Sequence, residues 1–512
     1  MHQKSKNLSA LKLMDNATLF SQFSTQSKKG ILVIYSNQIF SLLKATWILL
    51  ILFIQKFSKL SAISLTYMYL GIAVVLVFFL VRAFLIFKNF QFKIENNHFI
   101  LKKGIIKKTN IEIPFDRIQN INFKQNIVQQ IINVYEVNIE TAGSADAEIS
   151  IKAMTFEQAT ALKNSITIFD KANTKSEVEI KEKPLLEIDF LALLKVSITE
   201  NHLKSLLILI AILIGFFQQL EQFFKGSGND ELVDNFISEN SSAFQTSIFI
   251  MLFFSLLLVL VGLISSFVRI LLQHFNLTVF IKNDTLEIDQ GLTTKKSIVL
   301  KKNKVQHITI STNPLKKILG ISFITFSQAE SGISKEKKQE IIKIVGCKIA
   351  QISAIKNLLF PNENLNDFDK NQVDSYYKSR LYLQGIFVLS LINLGFYFGF
   401  QNHLIFWINV VLFPVFALLI ETKFKKRTYL FSEDLLQINF GTIETHQTIL
   451  PFYKVQCVSM QQTFFQARKN VADLVFQTAS GKIKIPCINS TEALKMYNFA
   501  LYKIETSQQS WM

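Results

Sequence analysis

Apolar runs long enough to cross a bilayer recur along this chain in adjacent pairs, and each pair is followed by a stretch whose apolar positions alternate. A helix rises 1.5 Å per residue, so roughly 16–22 uncharged apolar residues cover about 30 Å of hydrocarbon. Five windows meet that standard: 61–81, 205–220, 247–268, 381–400 and 404–420. A sixth, 39–55, carries Lys44 near its start, where the ammonium can snorkel to the headgroups. A buried helix of a large soluble protein is the alternative for any one window. The windows predict six transmembrane helices in three hairpins.

The stretches between hairpins read as short strands bounded by turn residues, and they repeat. A glycine is followed fifteen positions later by glutamine in Gly104 and Gln119, Gly291 and Gln306, and Gly441 and Gln456. A basic residue stands two positions before each glutamine: Arg117, Lys304 and Lys454. Ala142, Ala329 and Ala479 follow twenty-three positions later, inside Thr141-Ala142-Gly143-Ser144, Gln328-Ala329-Glu330-Ser331 and Thr478-Ala479-Ser480-Gly481. Each copy opens on a strand (Phe92-Lys93-Ile94, Leu277-Thr278-Val279, Thr428-Tyr429-Leu430), a polar turn such as Glu95-Asn96-Asn97, and a second strand ending at the glycine. That glycine is expected to need positive φ. Each copy closes on an amphipathic helix: Thr155 and Gln158 form a capping box ahead of Ala159, Leu162 and Ile166, while Ile352, Ile355 and Leu359, and then Leu494, Tyr497, Leu501 and Ile504, share a face. Antiparallel strands closed by one C-terminal helix make a small β-barrel or sandwich, and the whole chain reads as an α+β membrane protein.

Ile113-Pro114-Phe115-Asp116-Arg117-Ile118-Gln119 and Thr141-Ala142-Gly143, preceded by an apolar pair, resemble the bacterial pleckstrin-homology-like (PH-like) membrane family of the YdbS/YdbT type in its three-repeat form. The second copy departs from the pattern, with Lys304 for Arg and no proline; the third keeps Pro451 and Lys454-Val455-Gln456. The resemblance implies three PH-like domains and attaches no catalytic residue to the motif. The boundaries drawn from sequence are 1–38 for a cytoplasmic N-terminal segment, hairpins at 39–87, 203–272 and 380–420, PH-like domains at 88–169, 273–360 and 421–508, and linkers at 170–202 and 361–379.

Composition then limits the function. The 512 residues are 49% apolar and 18% charged, which rules out disorder as the main state, and 3 Cys rule out a disulfide scaffold. A net charge of +17 suits either nucleic-acid binding or the positive-inside bias. Its distribution decides: Lys28, Lys29, Arg82, Lys88, Arg269, Lys378, Arg380, Lys423, Lys425, Lys426 and Arg427 flank the hairpins on the side of the long connections, while the aromatics are mostly Phe inside the apolar windows. Nucleic acid is discarded, and a membrane protein with both termini cytoplasmic is expected, which the resemblance places in the bacterial inner membrane. The polar first thirty residues make the first hairpin the expected targeting signal, and Cys347, Cys457 and Cys487 should be reduced thiols.

No His, Cys or acidic cluster has ligand spacing, and no nucleotide or hydrolase motif occurs, so no metal, cofactor or enzymatic activity is expected. Basic residues that can meet lipid phosphates are Arg117, Lys295, Lys296, Lys301, Lys302, Lys304 and Lys454, joined by the pairs Lys102-Lys103, Lys107-Lys108 and Lys316-Lys317; the competing reading is a basic face held beside an anionic leaflet. Gln384, Asn393 and Asn409 are the mild polar residues of the last hairpin, expected to bond helix to helix. The expectation is a membrane-surface scaffold or sensor that binds lipid headgroups, a protein partner, a second copy or a related PH-like membrane protein, and serves envelope integrity or stress resistance. A transporter or lipid-handling protein using the helices is the alternative.

Overall fold

The computed structural model describes residues 20–57, 62–141, 148–167, 183–200, 202–226, 248–282, 285–329, 342–361, 370–400 and 405–509. The Ala142-Gly143-Ser144 and Glu330-Ser331 strings, and residues 170–182 and 201 of the 170–202 linker, lie outside the described residues.

In the first unit the alternating stretch resolves into β2 (Gln91–Glu95), β3 (His98–Lys103), β4 (Thr109–Pro114), β5 (Ile118–Gln125), β6 (Tyr135–Thr141) and β7 (Glu148–Met154). The turn between β2 and β3 has Asn96 at φ 47° and Asn97 at φ 62°, the left-handed pair that matches strand twist in a two-residue hairpin. The short helix α3 (Ile127–Ile131) follows β5, capped reciprocally by Asn126 and Gln129. Helix α4 (Phe156–Thr167) closes the unit, and the Thr155–Gln158 capping box is present at 3.3 Å in both directions. Ala159, Leu162 and Ile166 are buried against Phe92, Phe99, Val137 and Ile151.

A strand before the hairpin belongs to the same unit. Strand β1 (Ser24–Thr25) pairs with β2 through Ser24↔Phe92 and Thr25↔Gln91, and Phe20 packs on Phe92. Between β1 and β2 stand the paired helices α1 (Gly30–Phe57) and α2 (Ala62–Lys88). The hairpin is therefore an insertion after the first strand of a seven-stranded fold.

The second unit repeats this with β8 (Leu186–Glu187), α5 (Phe190–Thr199), α6 (His202–Gly226), α7 (Ile248–His274), β9 (Thr278–Lys282), β10 (Thr285–Gln290), β11 (Lys295–Lys301), β12 (Val305–Thr312), α8 (Pro314–Ile318), β13 (Ser322–Gln328), β14 (Ile342–Cys347) and α9 (Ile349–Leu359). The third has β15 (Asn371–Gln372), α10 (Ser375–Phe400), α11 (Ile405–Lys425), β16 (Thr428–Phe431), β17 (Leu435–Gly441), β18 (Thr445–Pro451), β19 (Val455–Gln461), α12 (Phe464–Ala467), β20 (Val471–Thr478), β21 (Gly481–Asn489) and α13 (Ser490–Thr506). Segments read from sequence as a terminal segment and two linkers thus carry β1, β8 and β15, each two residues long and too short to show alternation.

On α13 the packed face is Ala493, Met496, Tyr497, Ala500 and Ile504, and Leu494 points outward at 52% exposure. The two alanines let the helix lie close to the sheet, which turns the face away from Leu494.

The units are not separate globules. Strands β5 to β7 continue edge to edge into β8 to β11, giving the order β7-β6-β5-β11-β10-β9-β8, and β12 to β14 continue into the third unit as β14-β13-β12-β18-β17-β16-β15. Leu435 and Ile449 of the third unit complete the core of the second. Among the described residues, β4 ends the sheet β1-β2-β3-β4 and β19 ends the sheet β19-β20-β21, whereas their counterparts in the other units pair across a boundary.

Candidate functional site

The repeated glycines mark where the site is built. Gly104, Gly291 and Gly441 have φ of 112°, 103° and 130°, and a Cβ at each would stand 1.9–2.1 Å from the carbonyl oxygen three residues on. Only glycine allows these turns between β3 and β4, β10 and β11, and β17 and β18. The turns sit at the hairpin bases: Leu292 N–H donates to the Leu272 carbonyl at the end of α7 (2.9 Å), and Lys426 at the end of α11 donates to the carbonyls of Thr442 (2.6 Å) and Ile443 (3.0 Å).

The short helices join them across units. Lys29 donates to the Ile132 carbonyl after α3, and Gln130 of α3 donates to the carbonyls of Leu292 (3.0 Å) and Thr293 (3.2 Å) in the next unit's turn. Asn313 before α8 donates to the Thr199 carbonyl, and Lys316 of α8 pairs with Glu444 in the third unit's turn at 2.5 Å. Lys316 is 1% exposed and lies 3.7 Å above the Phe323 ring; burial pulls its ammonium below the usual lysine range against the opposing pull of Glu444. Turns, short helices and hairpin bases therefore form one face.

That face is apolar at its tips and basic around them. Ile106 is 99% exposed, and Ile131, Ile318, Ile443, Phe464 and Phe465 also face outward. Lys107, Lys108 and Lys295 are exposed beside the turns, with Lys296 half-buried next to them. A cavity of about 510 Å³ opens between α1 and α2 at the first hairpin's base, lined among others by Asn37, Gln38, Ser41, Arg82 and Lys152. Lys152 pairs with Glu136 at 2.7 Å, and its charge and hydrogen bond, with one from Ser150, outweigh the burial that would raise the Glu136 carboxyl, holding it below the usual range. Gln38 Oε1 is buried without a hydrogen-bond partner among the described residues.

The basic residues singled out in the sequence separate by position. Lys295 and Lys296 open β11 at this face. Lys301, Lys302 and Lys304 lie at the other end of β11 and in the 3-10 turn after it, on the order of 20 Å away along the strand. Arg117 occupies the equivalent turn in the first unit and is exposed. Lys454, in the third, is 1% exposed and donates to the Asn303 carbonyl at 2.7 Å across the unit boundary; burial and the nearby Lys304 charge push it down to about 8. The signature glutamines also differ: Gln306 is fully buried and Gln456 is exposed, while the Gln119 side chain lies outside the described residues. Sequence reasoning named Arg82 only as a flanking charge and missed the Gln38–Arg82–Lys152 cavity, because Lys152 is brought there by β7.

Among the described residues, Thr66–Lys88 (23 residues, mean hydropathy 2.8) and Leu256–His274 (19 residues, 2.3) are long and apolar enough to cross a membrane. Only 6% and 17% of their most apolar stretches are buried. Asn393 and Asn409 bond to each other between α10 and α11, at 3.2 and 2.9 Å, as their isolation in an apolar window suggested.

Two antiparallel sheets closed by a C-terminal helix, repeated three times with long apolar helices inserted after the first strand, define a tandem PH-like protein of the membrane-associated class. The chain belongs to the bacterial PH domain family, whose pattern matches residues 43–167, 235–362 and 385–504. It is similar to the transmembrane protein YdbT of Bacillus subtilis (strain 168), 25% identical over 416 residues that cover 77% of this chain and 80% of that protein.

Proposed function

We propose that all six long helices span the bacterial inner membrane as three hairpins, with both termini and the three PH-like units on the cytoplasmic side. The hairpin-base face then rests on the anionic leaflet, and the protein acts as a non-catalytic membrane-surface scaffold or sensor in envelope integrity. The observation that carries this reading is the coincidence of outward apolar tips and lysines at the place where the apolar helices leave the β layer. Apolar tips enter the headgroup boundary, and each lysine near an anionic surface contributes about 1 kcal/mol. The cavity holding Arg82 and the unpartnered Gln38 oxygen, beside the Lys152–Glu136 pair, suits one anionic headgroup: a guanidinium for a phosphate and an amide oxygen for its hydroxyls.

Among the lysines proposed from sequence, Lys295 and Lys296 belong to this contact, joined by Lys107 and Lys108. Arg117, Lys301, Lys302 and Lys304, at the far ends of their strands, are proposed to meet a protein partner, and Lys454 to hold the second and third units together. The test uses the full chain in nanodiscs of neutral lipid doped with phosphatidylglycerol, with retained lipid read by native mass spectrometry. Preferential retention of the anionic lipid, lost in Arg82→Gln and weakened in Lys295→Gln/Lys296→Gln, is expected. Equal retention of neutral and anionic lipid at low salt refutes it.

A further inference from the structure

The chain joins its own units by one strand-pairing rule used twice. At the first boundary β11 pairs antiparallel with β5 through Lys295↔Gln125, Lys296↔Lys124 and Ser297↔Phe123. At the second, β18 pairs with β12 through Thr445↔Thr312, His446↔Ser311 and Gln447↔Ile310, then Thr448↔Thr309 and Ile449↔Ile308. Aligning the repeats on Gly104, Gly291 and Gly441 superposes these registers without a shift. Each unit therefore offers one edge to the unit before it and another to the unit after it.

Of the edges used at these boundaries, two are left over among the described residues, and they are the complementary ones. Strand β4, the equivalent of β11 and β18, ends the first unit's sheet, and β19, the equivalent of β5 and β12, ends the third unit's sheet. Their exposures are those of an uncovered seam. Gln306 and Ser311 on the paired β12 are buried, whereas Gln456 and Gln461 on β19 are exposed. Thr448 and Ile449 on the paired β18 are buried, whereas Ile111 is half-buried and Glu112 exposed on β4. Strand β19 also carries no charge and no proline, the devices that keep an edge from pairing, and β4 carries only Glu112 and a terminal proline.

We propose that β19 of one copy pairs antiparallel with β4 of a second copy, in the register Thr109↔Gln461, Asn110↔Met460, Ile111↔Ser459 and Glu112↔Val458. The occupant is a second copy of this chain because the chain carries both halves of a contact it already makes twice. Such a contact is head-to-tail, so copies assemble into a closed ring or an open row. Because the units share one hairpin-base face, the assembly lies in the plane of that face. The inference rests on strand order and register and not on lipid binding, so either fails without the other.

The test is cysteine cross-linking of the full chain in native membranes, with Cys457→Ser as background. Thr109→Cys/Gln461→Cys and Ile111→Cys/Ser459→Cys place cysteines opposite each other; the equivalents of the second pair, Thr448 and Thr309, bring their hydroxyls to 2.9 Å. Asn110→Cys/Gln461→Cys is one residue out of register and points its side chains to opposite faces. Mild oxidation is expected to give a ladder of dimer and higher species from both in-register pairs, with at least a tenfold lower yield from the shifted pair. A monomer band alone, a faster-migrating internally cross-linked monomer, or equal yields from all three pairs would overturn the proposal. Each variant's elution profile on size exclusion separates misfolding from absence of contact, since a folded variant that forms no ladder counts against it.

Discussion

Removing the Glu444 carboxylate should loosen the boundary between the second and third units in a way that depends on pH. Lys316 is buried, pairs with Glu444 at 2.5 Å, and has the Phe323 ring on its other side. Glu444→Gln leaves a buried ammonium without its counter-charge, a loss of about 3–5 kcal/mol in comparable sites. The lysine can escape by shedding its proton. From an ordinary pKa near 10.5, that costs at most about 5 kcal/mol at pH 7 and about 2 kcal/mol at pH 9, at 1.36 kcal/mol per unit. The defect in Glu444→Gln should therefore shrink to about 2 kcal/mol at pH 9, a drop of roughly a third or more from its value at pH 7. Lys316→Met removes the charge and fills the space, so it should sit within about 1 kcal/mol of the natural chain at both pH values, and adding Glu444→Gln to it should change little. Hydrogen exchange read by mass spectrometry over β12 and β18, corrected for intrinsic exchange rates, reports the boundary. Unchanged protection in Glu444→Gln at pH 7, or an equal loss at pH 7 and pH 9, would refute the reasoning.

Three further outcomes follow from the same geometry. His307, bonded to Ser480 at 3.1 Å across that boundary, is pushed down to about 4 by burial, so between pH 6.5 and 4 the unfolded chain binds a proton that the folded chain refuses. Stability is full above pH 6.5 and falls by up to about 3 kcal/mol as pH drops to 4; His307→Gln should flatten that part of a thermal-melt profile. Gly441→Ala forces a Cβ to 1.9 Å from the Glu444 oxygen at φ 130° and should cost more than about 1 kcal/mol, seen as a lower Tm of the purified protein, whereas alanine at Gly71, where nothing lies within 4 Å, should not. Lys454→Met, which removes a buried ammonium held to the Asn303 carbonyl, should loosen β18–β19 exchange below pH 8 far less than Lys454→Glu does.

Much of the fold was legible because its signals are local. The Gly104–Gly291–Gly441 spacing encodes a positive-φ turn that only glycine fits, the Asn96-Asn97 turn encodes its own left-handed backbone, and the Thr155–Gln158 box caps the helix it predicts. What sequence did not show depends on pairing at long range. Strands β1, β8 and β15 are two residues long and sit across a hairpin from their partners, so neither alternation nor adjacency announces them. The unit boundaries depend on β5 meeting β11 and β12 meeting β18, a consequence of register rather than composition. The same limit affected the candidate site. A lysine count cannot tell Lys295, at the hairpin base, from Lys454, which the third unit turns inward against the second.

Sidedness tests the central claim most directly. In a chain carrying Cys457→Ser, single cysteines at Glu157, Lys348 and Lys482, one exposed position per PH-like unit, and at Asn229 between the helices of the second hairpin, are offered to a membrane-impermeant maleimide. Intact spheroplasts should label only Asn229→Cys, and inverted vesicles should label only the other three. Labelling of any PH-like position from outside, or of Asn229→Cys from the cytoplasmic side, would contradict three hairpins spanning the membrane beneath one β layer.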